Sequence, residues 1–159
     1  MQNLWYNNNV DLRIVTILDK LTIRKNYKGG DRLLEYIRVY LVTLAIFLII
    51  DFFWLGLIAK NLYRAKLGFI LKDKFDMKAA FIFYFIYVSG LVFFVIGRAN
   101  SWQYALFAGM FFGIITYSTY NLTNLATLKN WPLSLSFYDI SWGAFLCGAT
   151  SLLSYLILF

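Results

Sequence analysis

No histidine occurs among the 159 residues, and cysteine and proline occur once each, as Cys147 and Pro132. A lone cysteine cannot close an intramolecular disulfide. Zinc and non-haem iron centres built on histidine or cysteine clusters are excluded, as is any nucleophilic mechanism that needs a histidine base. No metal and no cofactor is expected. Charge is scarce as well. Only 14% of the residues are charged, against about a quarter in an ordinary soluble domain.

What is abundant is apolar. Hydrophobic residues make up 61% of the chain and aromatics 21%. A water-soluble domain of this length has too little interior to hide so much apolar surface, and a disordered chain could not keep it solvated. One domain is expected from the length, and the class that remains is an integral membrane protein. The net charge of +7 does not change this, because the cations gather outside the apolar runs. Arg13, Lys20, Arg24, Lys25, Lys28, Arg32 and Arg38 precede the first run, and Lys60, Arg64, Lys66, Lys72, Lys74 and Lys78 lie between the first and second. Clusters so placed contact anionic lipid headgroups. No nucleic-acid recognition module is present, so membrane lipids and not nucleic acid are the expected partners.

Four apolar stretches reach the roughly 20 residues that a spanning helix needs: Val39 to Ala59, Ala79 to Gly97, Tyr104 to Thr127, and Ser136 to Phe159. The expected fold is an all-α, four-helix transmembrane bundle over residues 38–159, behind a polar basic tail over 1–37. The first span follows a long polar tail with no small-residue cleavage site after it, which argues against a signal peptide. Between the first two spans, Lys60–Lys78 mixes Leu62, Tyr63, Leu67, Phe69, Ile70 and Leu71 with its lysines. It reads either as an amphipathic helix in the interface or as an ordinary polar loop. Trp102 and Trp131 stand just outside spans, where indole rings favour the headgroup layer.

The tail is rich in asparagine, with a short helix expected around Ile14–Leu21. Lys28-Gly29-Gly30-Asp31 also fits a purine-rich stretch resembling a bacterial ribosome-binding site, with Leu33 or Leu34 as an alternative start. The tail is thus read as a solvent-facing extension or as an artefact of upstream translation. Orientation depends on which. With four spans, eight cations lie on the side of the termini and seven on the other, which the positive-inside rule cannot separate. Without residues 1–32 the balance is two against seven, placing the Lys60–Lys78 stretch in the cytoplasm.

Ionisable groups within a span cost about 2.5–3.5 kcal/mol on insertion scales and normally face protein or water. Asp51 lies just past the middle of the first span, and Asp139 near the start of the fourth. The second half of the third span is a polar belt from Thr116 to Thr127. Helical spacing puts Thr116, Tyr120, Thr123 and Thr127 on one face, with Tyr117, Asn121 and Asn124 alongside. Because odd and even spans run in opposite directions, Asp51, the belt, Tyr84, Tyr87 and Asp139 share one leaflet. They are expected to converge on a polar pocket opening toward the basic stretch. Each element has a plainer alternative. Hydroxyl and amide side chains commonly glue helices together, tyrosines near helix ends anchor at interfaces, and Asp139 could be an acid aligned with its helix dipole. Gly109 and Gly113 form G-x-x-x-G, and Gly143, Cys147, Ser151 and Ser154 line one stripe of the fourth span. Both fit close helix packing, and the glycine pair is alternatively the face of a homo-oligomer.

Three segments carry a family resemblance: Asp51-x-x-Trp54-Leu55-Gly56, the run Thr119-Tyr120-Asn121-Leu122-Thr123-Asn124-Leu125-Ala126-Thr127-Leu128-Lys129-x-Trp131-Pro132, and Asp139-x-x-Trp142-Gly143. They resemble the bacterial membrane family called domain of unknown function 2177, from about Arg38 to Phe159. The resemblance implies four helices and a location in the bacterial inner membrane, and assigns no activity. Members begin close to where Arg38 stands, so residues 1–37 depart from the pattern.

Three functions fit these residues. The first is binding of a lipid or small amphiphile, with Asp51, Tyr120, Asn121, Thr123, Asn124 and Asp139 as polar contacts and Trp54 and Trp142 among the aromatic walls. The second is a membrane-embedded lipid-modifying enzyme using Asp51 or Asp139 as acid or base. The third is a proton-coupled transporter or channel subunit with Asp51 as relay. Four spans are few for a transporter, and neither half repeats the other.

Overall fold

A computed structural model describes residues 29–69, 71–72, 74 and 76–159. The tail and its helix at Ile14–Leu21 lie outside the described residues. The chain divides into two units at Ile37/Arg38.

Among the described residues the architecture is all-helical, without strands. Helix α1, Gly29–Trp54, passes through a π-helical turn, Leu55–Ala59, into the short helix α2, Lys60–Leu67. Helix α3 covers Met77–Phe94 and ends in a 3₁₀ turn, Ile96–Arg98. Helices α4, Trp102–Thr127, and α5, Leu133–Leu158, form an antiparallel hairpin. The helix starts are written in the sequence. The Asp76 carboxylate accepts from the backbone N–H groups of Lys78 and Ala79 at 3.1 and 3.2 Å, and Ser101 Oγ accepts from Tyr104 N–H at 3.2 Å. Such side chains satisfy donors that the first helical turn leaves free. Between α4 and α5, Asn130 takes a left-handed φ of 62°, which asparagine tolerates better than most residues. Pro132, with its fixed φ, stands at the entrance to α5.

Three of the four long helices are long and apolar enough to cross a membrane, over Leu33–Leu57, Met77–Arg98 and Leu133–Leu158. Helix α4 has the same 26-residue length as α5, but its polar second half keeps it out of that set. Large apolar side chains point outward, Phe52 at 74% and Phe137 at 70% exposure, as expected where the surrounding solvent is hydrocarbon. Inside, Val39, Phe47, Val88, Leu91, Val95, Ile96, Leu146 and Cys147 form one core.

The α4–α5 contact is set by small residues. A Cβ on Gly109 would stand 2.6 Å from the Cys147 carbonyl oxygen and from Ser151 Oγ, and one on Gly113 would fall on the Gly143 carbonyl. The glycine pair is therefore used within the chain to bring two backbones together, the packing reading of that motif.

Of the two expectations for the Lys60–Lys78 stretch, its first part follows the amphipathic helix: α2 continues from the π turn with one apolar and one basic face. Leu67 is buried against Trp131 and Leu135, with Leu62, Tyr63 and Leu125 around them, while Lys60, Arg64 and Lys66 are exposed. Trp131 departs from expectation. It is buried beneath α2 and donates from Nε1 to Ser136 Oγ at 3.1 Å. The apolar face of α2 claims the indole that position alone assigned to the headgroup layer. Trp102 is half exposed, at 48%.

Candidate functional site

Every long helix contributes to the polar half of the bundle. On α1, Asp51 and Trp54 are three residues apart and so share a face. On α5, Asp139 and Trp142 have the same spacing. Asp51 is buried, and two donors reach it: the Tyr84 hydroxyl from α3 at 2.7 Å and the Trp142 indole N–H from α5 at 3.4 Å. The Trp142 ring also stacks on Trp54, centroids 4.5 Å apart and planes 7° from parallel. One carboxylate and one indole pair thus tie α1, α3 and α5 together.

Asp139 is the centre of a second cluster. It is buried, and it accepts from the Tyr63 hydroxyl of α2 and from Nδ2 of Asn121 on α4. Burial, and then the neighbouring carboxylate, push the Tyr63 hydroxyl above its ordinary pKa, so it remains a donor at neutral pH. Asn121 is fully buried. Its Nδ2 also donates to the Tyr117 carbonyl at 3.1 Å, and its Oδ1 has no partner. Asp139 lies beyond the first turn of α5, which holds no acid, and its oxygens are engaged by side chains. Alignment with the helix dipole, which fades within one turn, does not account for it.

A third group joins the same helices. The Tyr87 hydroxyl lies 2.7 Å from Thr116 Oγ1 and 3.1 Å from Cys147 Sγ.

The expected residues divide by which way α4 turns. Thr116 and Asn121 face the other helices. Tyr120 and Thr123 are exposed and Asn124 is half-buried. Tyr120 meets Trp131 edge-on at 5.7 Å. Thr123 donates to the Tyr120 carbonyl at 3.0 Å, Thr119 to Ile115 at 2.8 Å and Thr127 to Thr123 at 2.7 Å. Those hydroxyls are satisfied by their own helix. Asp51, Trp54, Asn121, Asp139 and Trp142 are brought together; Tyr120, paired with Asn124, lies at the edge of the Asp139–Tyr63 cluster, and Thr123 stands aside. Tyr63 was not singled out as a site residue, since in sequence it is one aromatic in a basic stretch. The rotation of α4, by contrast, was available. The row through Gly109 and Gly113 continues at steps of four to Tyr117 and Asn121, the side that meets α5.

The donors here are hydroxyl, indole and amide groups and the acceptors include two carboxylates. The arrangement can hold a donor-bearing polar group, or exchange a proton between tyrosine and carboxylate. Among the described residues no cluster of three or more histidine, cysteine or acidic side chains is arranged to hold a metal.

No curated protein and no solved structure matches the chain. A family model described as a predicted membrane protein, DUF2177, matches residues 36–156. That interval contains α2 to α4, most of α1 and α5, and both carboxylate clusters, so the chain belongs to the DUF2177 family of membrane proteins.

Proposed function

We propose that this is a multi-pass protein of the bacterial inner membrane that crosses the bilayer four times and binds a lipid or small amphiphile in its polar half. The fourth crossing is α4. Its support is the placement of the helix ends: Leu67, the last residue of α2, which continues α1 past the π turn, packs on Trp131 and Leu135, while Val95 and Ile96 share a core with Leu158. The α4–α5 turn therefore sits at the end of the bundle where α1 finishes, opposite the end of α3.

The observation that carries the binding reading is the pair of buried carboxylates, Asp51 and Asp139, each held by neutral donors beside the Trp54–Trp142 stack. A carboxylate at such depth is costly, and helix packing alone is served more cheaply by an amide or a hydroxyl. The test is lipid analysis of protein purified in mild detergent, together with lipidomics of cells with and without the gene. A lipid retained by wild type and lost or weakened in Asp51→Asn, with an unchanged cellular lipidome, is the expected result. Absence of any retained lipid would sink the reading.

The tyrosine–carboxylate contacts, above all Tyr84 to Asp51 at 2.7 Å, favour a second reading, a membrane-embedded lipid-modifying enzyme working by acid–base chemistry. It requires a change in cellular lipids that Asp51→Asn abolishes.

A further inference from the structure

We infer that the group received beside Asp139 is a primary ammonium, as on an ethanolamine headgroup, and that it takes the place of the Tyr63 hydroxyl; this deepens the lipid-binding reading and rests on it. The site holds an unmet acceptor. Asn121 Oδ1 is fully buried without a partner, while Nδ2 of the same amide is spent on Asp139 and on the Tyr117 carbonyl. Turning the amide over would aim Oδ1 at a carboxylate oxygen and forfeit both bonds, so Asp139 fixes its orientation. A buried acceptor left unpaired is costly. What the site lacks is therefore a donor.

The chemistry of that donor follows from its surroundings. Asp139 accepts two bonds, from Tyr63 and Asn121, and a carboxylate has room for about four. A primary ammonium carries three N–H groups and a positive charge, so one group can meet Asp139 and Asn121 Oδ1 together. A phosphate offers no donor and is repelled by the carboxylates. A trimethylammonium has the charge but no N–H. A hydroxyl meets one acceptor and leaves the charge unanswered.

Access lies on the α2 side. Tyr63 is the donor to Asp139 that belongs to neither α4 nor α5, and it is only half-buried, on a helix of eight residues beyond the π turn. Its hydroxyl holds the Asp139 oxygen that an incoming N–H would take, without reaching Asn121 Oδ1.

The experiment uses the full chain in nanodiscs of phosphatidylglycerol doped with either phosphatidylethanolamine or phosphatidylcholine, with retained lipid read by native mass spectrometry. Phosphatidylethanolamine is expected to be retained over both others by about tenfold, the scale of one good polar contact. Asn121→Leu should abolish that preference. Tyr63→Phe, which keeps the ring and removes the competing donor, should raise phosphatidylethanolamine retention several-fold and serves if Asn121→Leu does not fold. Equal retention of the three lipids overturns the ammonium inference and leaves the lipid reading standing. So does an unchanged or weakened retention in Tyr63→Phe. Retention of no lipid, with binding of free ethanolamine or a diamine instead, keeps the ammonium site and overturns the lipid reading. Binding of neither overturns both.

Discussion

Three buried hydroxyls, on Thr150, Ser151 and Ser154, have no hydrogen-bond partner, whereas Asp51 holds two donors. The contrast gives opposite expectations for mutation. Removing an unmet polar atom without changing shape removes a desolvation cost. Thr150→Val should leave thermal stability unchanged or raise it, measured as Tm in detergent. Tyr84→Phe removes a donor while its carboxylate stays buried, and should destabilise by about 1–3 kcal/mol. The two variants differ from wild type by similarly small changes in volume. If both lowered Tm alike, packing and not hydrogen bonding would govern this bundle. Trp142→Phe belongs with the second kind, since it takes an N–H from Asp51 and weakens the stack on Trp54.

At the scale of elements, the α4–α5 hairpin is the most constrained part. Gly113→Ala drives a methyl group into the Gly143 carbonyl and Gly109→Ala one into Cys147 and Ser151. Backbone cannot yield there as a flexible side chain would, and overpacking costs about 1–3 kcal/mol or more. Gly56 has open space around its Cα, so Gly56→Ala should be neutral or stabilising, by up to about 1 kcal/mol. Equal losses of Tm in the Gly113 and Gly56 variants would contradict the packing described. These elements also mark what the sequence could tell. The helices and the nearness of Asp51 and Asp139 were legible because both follow from hydropathy and connectivity. The small-residue stripe was legible because only close packing needs it. The inward face of α4 was harder, because serine, threonine, tyrosine and asparagine occupy all sides of its second half. Hydroxyls that bond back to their own helix, such as Thr123, look in sequence like any others. Trp131 was misjudged because its burial is created by α2 folding over the α4–α5 turn, a long-range contact, and Tyr63 lies on the amphipathic face of α2 that makes it.

For the molecule as a whole, the four-crossing reading puts Lys66 and Lys129 on one side of the membrane and Arg98 on the other. Single cysteines at these positions, labelled from outside intact cells, should sort accordingly, with buried Cys147 as the silent background. Labelling of Lys129→Cys together with Arg98→Cys would mean that α4 does not cross. The turn between α1 and α2 bears on how such a protein tolerates change in length. A π turn holds one residue more than the α-helical path it replaces, so Leu55–Ala59 is a store of slack between Asp51 and Tyr63. Deleting Gly56 should let the turn relax to an α-helix with Tyr63 still facing Asp139. Deleting Asn61, past the turn, should swing Tyr63 away by about 100°, one residue's rotation. The two deletions are distinguished by adding Tyr63→Phe to each. It should change Tm in the first background as it does in wild type and do nothing in the second, where the bond is already gone. The chain should therefore lose one residue at this point without losing its grip on Asp139, a freedom that the α-helical stretches on either side lack.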